Sequence, residues 1–371
     1  MPASPRPDWS GRLHRLREIC LADGLGAFVV STPANLRYLT GFSGSAGLLV
    51  LTAHTAHLLV DGRYHGLVDA GIASGDLAAA QVEPVVGRFD RTLAAVLNRA
   101  GAVVVGVEPA QVTLATLKSW QTAASEVEWR PLDAVVERLR MIKDDVELAR
   151  IRRGATRVSN VARMLRQIVV PGRSERDIAK AIDLALEQEG FDEPAFPTIV
   201  ASGPNGAHPH ARPTDRRLET GDLVVLDFGG VLDGYCVDLT RTAVIGQVSA
   251  RARALFAAVQ EAQAAAIATV RAGVSGAAVD AAARRVLDAR GLAAAFLHST
   301  GHGLGVEVHE APRLAPDTSS PAEPLEAGMV CTIEPGAYLE GFAGVRLEDD
   351  VLVTADGCEV LTDAPKDLLV V

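Results

Sequence analysis

Residues 223–244, LVVLDFGGVLDGYCVDLTRTAV, place the dipeptide Asp233-Gly234 between two apolar runs. This is the strongest local signal for a tight β-hairpin. With Asp233 and Gly234 as the two loop residues, Leu232 faces Tyr235 and Asp227 faces Thr240. Asp238 then becomes a diagonal neighbour of Asp227 on the same face, with backbones about 7–8 Å apart, close enough for their carboxylates to share ions. The inference depends on the register, since a bulge or a slip of one residue would separate the pair. Read alone, the two carboxylates are equally compatible with solvated charges at a strand edge. Against that, both sit among Val, Leu, Tyr and Thr, where an unpaired buried carboxylate is costly and two repel unless cations intervene.

A chain of 371 residues exceeds what one hydrophobic core usually organises, so two domains are expected. With 48% apolar and 22% charged residues it reads as a globular protein with a large core. A formal charge of −10 opposes nucleic acid or an anionic membrane as partner. No apolar run approaches the roughly 20 residues that cross a bilayer, and Met-Pro-Ala-Ser-Pro-Arg-Pro at the start has no apolar signal core. Cys20, Cys236, Cys331 and Cys358 form no C-x-x-C and suit reduced, packed thiols. The expectation is a cytoplasmic protein.

Residues 1–135 read as an α/β domain. A helix carries Leu13, Leu16 and Cys20 on one face; strands are expected at 27–30, 47–52, 57–61 and 103–107, and helices at 90–99 and 111–124. Residues 136–371 read as a second, α+β domain. Lys143-Asp144-Asp145 places acidic caps before a long helix that Pro171-Gly172 stops, and Ser174 caps a second helix ended by Gly190. Strand-like segments follow near 198–201 and 223–244. The same order then recurs: helices at 250–271 and 277–290, and strands near Val306, at 329–334 and at 345–353. This is a weak duplication of about 100 residues, resting on element order, and it implies two related halves of one domain.

The segment HSTGHGLGVEVHE puts His298, His302 and His309 within twelve residues, among glycines at 301, 303 and 305 that let the backbone bend. It is neither an H-E-x-x-H zinc helix nor a nucleotide loop, since GHGLG lacks the lysine and the preceding apolar strand. Glu334 ends MVCTIE and meets Pro335-Gly336, a turn that leaves its carboxylate at a strand terminus. Glu348 lies within GVRLEDDVLV. Two Asp, one His and two Glu form a hard ligand set suited to manganese, cobalt or zinc, and four carboxylates neutralise two divalent ions.

At this point the chain resembles, over nearly its whole length, the pita-bread metallopeptidases and among them the Xaa-Pro peptidases, aminopeptidase P and prolidase. NLRYLTGFSGSAG (35–47) and DGRY (61–64) are similar to the creatinase-type N-terminal domain of that group. The resemblance implies a pita-bread catalytic domain with two pseudo-symmetric halves. It implies metal ligation by Asp227, Asp238, His302, Glu334 and Glu348 to two divalent ions, with manganese expected and cobalt or zinc as alternatives. It makes His210, in GPNGAHPHARP, and His309 substrate-facing, with His298 supporting, Glu334 the general base, and Tyr338 and Arg346 further groups at the substrate. For Arg346 a plain strand-face charge stays open. His208 departs from the family pattern, which has an apolar residue there.

The implied activity is removal of the N-terminal residue from peptides with proline second, with Xaa-Pro dipeptidase as the alternative, by a homodimer or dimer of dimers. A metal-free creatinase-like enzyme or a non-peptidase binding module would have lost several of the five ligands, and this chain retains them all.

Overall fold

The computed structural model describes residues 6–316 and 324–371. The chain divides into two compact units, Met1–Arg140 and Met141–Val371.

The first unit runs α1 (Trp9–Ala22), β1 (Ala27–Val30), α2 (Pro33–Thr40), β2 (Leu48–Thr52), β3 (Ala56–Asp61), α3 (His65–Ser74), β4 (Gln81–Val85), α4 (Phe89–Ala100), β5 (Val104–Val107), α5 (Leu114–Ala123) and β6 (Glu128–Pro131), with α6 (Val135–Met141) at the boundary. Its strands form one mixed sheet in the order β4-β3-β2-β1-β5-β6. Val29, Val50, Leu59 and Val105 of the sheet bury against Leu93 and Leu97 of α4 and Trp120 of α5. Element order alone did not reveal α2, α3, β4, β6 or α6. The polar Asn35 of α2 is fully buried because its amide donates to Glu108 and Glu137, each at 2.7 Å, while its oxygen accepts from Arg140 at 2.8 Å. Tyr38 also donates to the Leu139 carbonyl. These bonds hold α6 to the first unit, which runs to Arg140.

The second unit contains α7 (Asp145–Ile168), α8 (Glu175–Gln188), β7 (Glu193–Pro194), β8 (Ile199–Ser202), β9 (Leu223–Leu232), β10 (Tyr235–Val244), α9 (Ala250–Thr269), α10 (Gly276–Ala289), β11 (Gly301–Gly303), β12 (Glu310–Leu314), β13 (Val330–Ile333), β14 (Gly336–Leu339), β15 (Ala343–Arg346), β16 (Asp349–Val353), β17 (Cys358–Val360) and β18 (Leu369–Val370). Every long helix starts on a side-chain cap. Asp144 forms a capping box with Glu147, and Ser174, Ser249 and Ser275 each accept a backbone N–H of the first turn. One sheet has the order β18-β10-β9-β7, with β8 also on β9, and a second has the order β12-β11-β13-β16-β17. Ile151, Val158 and Ile182 of the first helix pair bury against Leu226, Phe228 and Leu239, while Val259 and Val279 of the second pair bury against Cys331, Ile333 and Val351. Each half is thus a helix pair on a sheet, as the duplicated order implies.

Two strand expectations are corrected. Val306 lies in a bend between β11 and β12, because three glycines and a register shift at His302/Gly303 break the pairing there. The expected strand 345–353 is cut at Leu347-Glu348: β15 pairs with β14, whereas β16 pairs with β13 in the other sheet. At the crossing, the Leu347 N–H donates to Pro335 and the Glu348 N–H to Thr240, so neither residue continues a ladder.

Candidate metal centre

The hairpin has the expected register. Asp233 (φ 49°) and Gly234 (φ 80°) occupy the left-handed region that a two-residue loop requires, Leu232 pairs with Tyr235, and Asp227 pairs with Thr240. Asp238 pairs with Gly229, so both carboxylates stand on one face of β9-β10. His302 is the middle residue of β11, a strand squeezed between β12 and β13. A Cβ at Gly301 would collide with the Thr332 carbonyl and one at Gly303 with the Ala311 carbonyl, so glycines on both sides of His302 allow the approach. Glu334 follows the last residue of β13, and Glu348 occupies the break between β15 and β16.

These elements bring Asp227, Asp238, His302, Glu334 and Glu348 to the wall of one pocket of about 700 Å3. Ligand atoms of Asp238, His302 and Glu348 all lie within 4.8 Å of one another. His302 Nε2 is 3.3 Å from Glu334 Oε1. Its Nδ1 is 3.0 Å from the Gly303 carbonyl, which can only accept, so Nδ1 carries the proton and Nε2 presents a lone pair. Thr332 accepts the His302 N–H and donates to Glu334, and Thr240 donates to Glu348 at 2.6 Å. Asp350, buried behind them, accepts the Asp238 N–H at 3.1 Å. The two threonines and Asp350 orient the cluster through side-chain hydrogen bonds, and no spacing in the sequence marks them.

Asp227 Oδ1, Asp238 Oδ1 and Glu348 Oε1 are buried without a hydrogen-bond partner. Burial first, then the neighbouring Glu348, Asp227, Asp350 and Glu334, pushes the Asp238 carboxyl far above the usual carboxylate range. Burial, with Glu334 and Asp227, does the same to Glu348. Glu334 is pushed up to about 8, mainly by burial, with Arg346 opposing and Asp227 adding to the rise. His302 is driven down to about 4, chiefly by burial, and is neutral at pH 7. Orphaned carboxylate oxygens, mutual repulsion and a neutral imidazole with a free lone pair describe a site whose charges balance when divalent cations are bound. The residues therefore fit a metal pair.

The other expected residues divide by position. His210 and His309 are exposed and line the pocket; the His309 ring stands 4.3 Å from that of His302. His298 lines the pocket as well. Its Nδ1–H donates to the Ser299 carbonyl, and its Nε2 is 2.9 Å from the Tyr338 hydroxyl. Burial lowers His298 to about 4. Tyr338 is buried behind the wall and reaches the site through His298 and Arg346. Arg346 is no strand-face charge: 3% exposed, it donates to Asp227, to Tyr338 at 2.7 Å, to Thr240 and to the Pro209 carbonyl. His208 is exposed and does not line the pocket. Phe196, Pro197 and Ile199 supply an apolar wall that the sequence reading missed, because only the fold brings this segment beside the hairpin.

Residues 149–355 match the model of metallopeptidase family M24, and residues 12–142 match the creatinase/prolidase N-terminal domain. The chain is 35% identical over 359 residues to the uncharacterized peptidase YqhT of Bacillus subtilis, covering 97% of this chain and 99% of the relative. Among solved structures, the Xaa-Pro dipeptidase from Bacillus anthracis superposes with a TM-score of 0.93 at 32% identity, over 98% of this chain and all of that one. The X-Pro aminopeptidase from Thermotoga maritima superposes with a TM-score of 0.85 at 33% identity, over 94% of this chain and 98% of that one. The second unit is thus a pita-bread domain preceded by a creatinase-type domain, and the chain belongs to metallopeptidase family M24.

Proposed function

We propose that this chain is a two-metal exopeptidase that hydrolyses the bond between an N-terminal residue and a following proline. The observation that carries the reading is the cluster of orphaned carboxylates around neutral His302 in a pocket large enough for a di- or tripeptide. Asp227, Asp238, His302, Glu334 and Glu348 are the proposed ligands, and manganese the proposed metal. When bound, two divalent cations supply Lewis-acid polarisation of the scissile carbonyl and acidify a water. The protein supplies the rest. Glu334, at the pocket wall, accepts the proton of the attacking water and returns it to the leaving nitrogen. His309, neutral and at the pocket wall, donates to the oxygen on which charge develops. His210 lies along the substrate path, and Arg346 with Tyr338 and His298 keeps Asp227 oriented from behind.

The apolar wall of Phe196, Pro197 and Ile199 suits a proline ring, whose nitrogen lacks a hydrogen and offers nothing to a donor. Dipeptidase and aminopeptidase readings both have support: the Bacillus anthracis neighbour is named for dipeptides and the Thermotoga maritima neighbour for X-Pro aminopeptidase activity. The test compares Ala-Pro, Ala-Pro-Ala, Ala-Ala-Ala and N-acetyl-Ala-Pro-Ala with manganese present. Faster turnover of Ala-Pro assigns a dipeptidase and faster turnover of Ala-Pro-Ala an aminopeptidase. Equal cleavage of Ala-Ala-Ala removes the proline assignment, and rapid cleavage of the acetylated peptide removes the exopeptidase one.

A further inference from the structure

Lys143 and Glu310 form an ion pair at 2.8 Å with side chains only 1% and 5% exposed. Withdrawing two charges from water is expensive, and an apolar pair of similar volume is often as stable, so stability alone is a poor account of such a contact. Both ends of the pair are informative.

Lys143 is held beside the start of β13, in the sheet that carries His302 and leads into Glu334. Its N–H donates to the Gly328 carbonyl, the preceding Ile142 bridges to Met329, and its ammonium also donates to the Met141 carbonyl at 3.2 Å. Glu310 directly follows His309 and pairs with Gly303 across the irregularity in β11. One carboxylate oxygen accepts the Glu307 N–H, at 3.4 Å. The other fills the space that a Cβ on Gly305 would occupy. The chain from Gly303 to Glu310 therefore folds around this carboxylate, with His309 at its exposed end.

We propose that the Lys143–Glu310 ion pair is a positioning device that sets where His309 stands beside His302 in the pocket. Lys143 touches neither substrate nor reacting atoms and acts through Glu310 and the backbone that Glu310 gathers. The proposal rests on His309 being the substrate-facing donor. A displacement of about 1 Å in such a group can cost on the order of 10²-fold in rate, so a remote cation can matter without contacting the reaction.

The test uses Lys143→Met, Glu310→Gln, His309→Ala and the double variant Lys143→Met/His309→Ala in the full chain, with two readouts. On Ala-Pro or Ala-Pro-Ala with manganese, Lys143→Met is expected to lower kcat by about 10- to 100-fold, with KM and metal content within about twofold of wild type. Added to His309→Ala, it should cost less than about twofold further, because the group it positions is already gone. Glu310→Gln keeps the side chain's shape and should fall in the same direction, which covers the case of Lys143→Met failing to fold. Independently of any activity, amide exchange in the metal-free protein should quicken across residues 303–310 in Lys143→Met or Glu310→Gln and stay unchanged in β9 (Leu223–Leu232). A full loss of kcat in the His309→Ala background, or unaltered exchange across 303–310, overturns the proposal. Absence of Xaa-Pro cleavage by wild-type protein refutes the functional reading instead and leaves the exchange result to decide this one.

Discussion

Replacing Asp238 by Asn should move stability and function in opposite directions. The carboxylate is 5% exposed, its Oδ1 has no partner, and a Glu348 oxygen lies within 4.8 Å. Two unit charges 4.8 Å apart repel by about 3 kcal/mol at an effective dielectric of ~20. In the metal-free protein part of that cost is already avoided by protonation, which the raised carboxyls of Asp238 and Glu348 record. Asparagine keeps the shape, removes one charge and can donate to the orphaned Glu348 Oε1. The expected gain for metal-free protein at pH 8 is about 1–3 kcal/mol, or a Tm higher by about 2–10 °C for a domain of this size. With manganese the sign reverses. The variant lacks a ligand charge, so metal content by elemental analysis falls and turnover drops by about 10³-fold or more. The assay is a melting curve of wild type and Asp238→Asn, with and without manganese, beside peptide hydrolysis. A metal-free variant less stable than wild type, or one that keeps more than about a tenth of the activity, would refute the view that Asp238 carries a cost that bound cations relieve.

His309→Ala should reduce kcat by about 10²- to 10³-fold with both ions retained; loss of an ion by elemental analysis would show the roles of His302 and His309 to be misassigned. Stability of the metal-free protein should fall as pH rises from about 6.5 toward about 8, because the folded state there still holds the Glu334 proton that the unfolded chain has released, and Asp238 and Glu348 act in the same direction; below about 6.5 the lowered His298 and His302 act in the opposite one. Denaturant titrations between about pH 6.5 and about pH 8 measure this, and a metal-free protein that grows more stable over that range contradicts it. Xaa-Pro peptides should exceed Xaa-Ala peptides by at least about a hundredfold in kcat/KM, since lost contact with the apolar wall and a misaligned carbonyl both count against alanine.

Local chemistry in the sequence determined much of this protein. Asp233-Gly234 can close only a tight loop, and that one turn sets the register that pairs Asp227 with Thr240 and puts Asp238 on the same face. The caps at Asp144 and Ser174 are equally local, since each oxygen is satisfied within one helical turn. Helices long enough to show a periodic apolar face were legible for the same reason, whereas α2 was not: its buried Asn35 is stabilised by Glu108 and Glu137, far along the chain. The crossing at Glu348 was hidden likewise. GVRLEDDVLV has continuous strand character, and only competition between two sheets for its ends, with Thr240 taking the Glu348 N–H, breaks it where the carboxylate must enter the pocket. Tertiary structure alone also decided that Arg346 lies buried against Asp227 and that Lys143 meets Glu310, because burial and pairing of a charge depend on what the rest of the chain places around it.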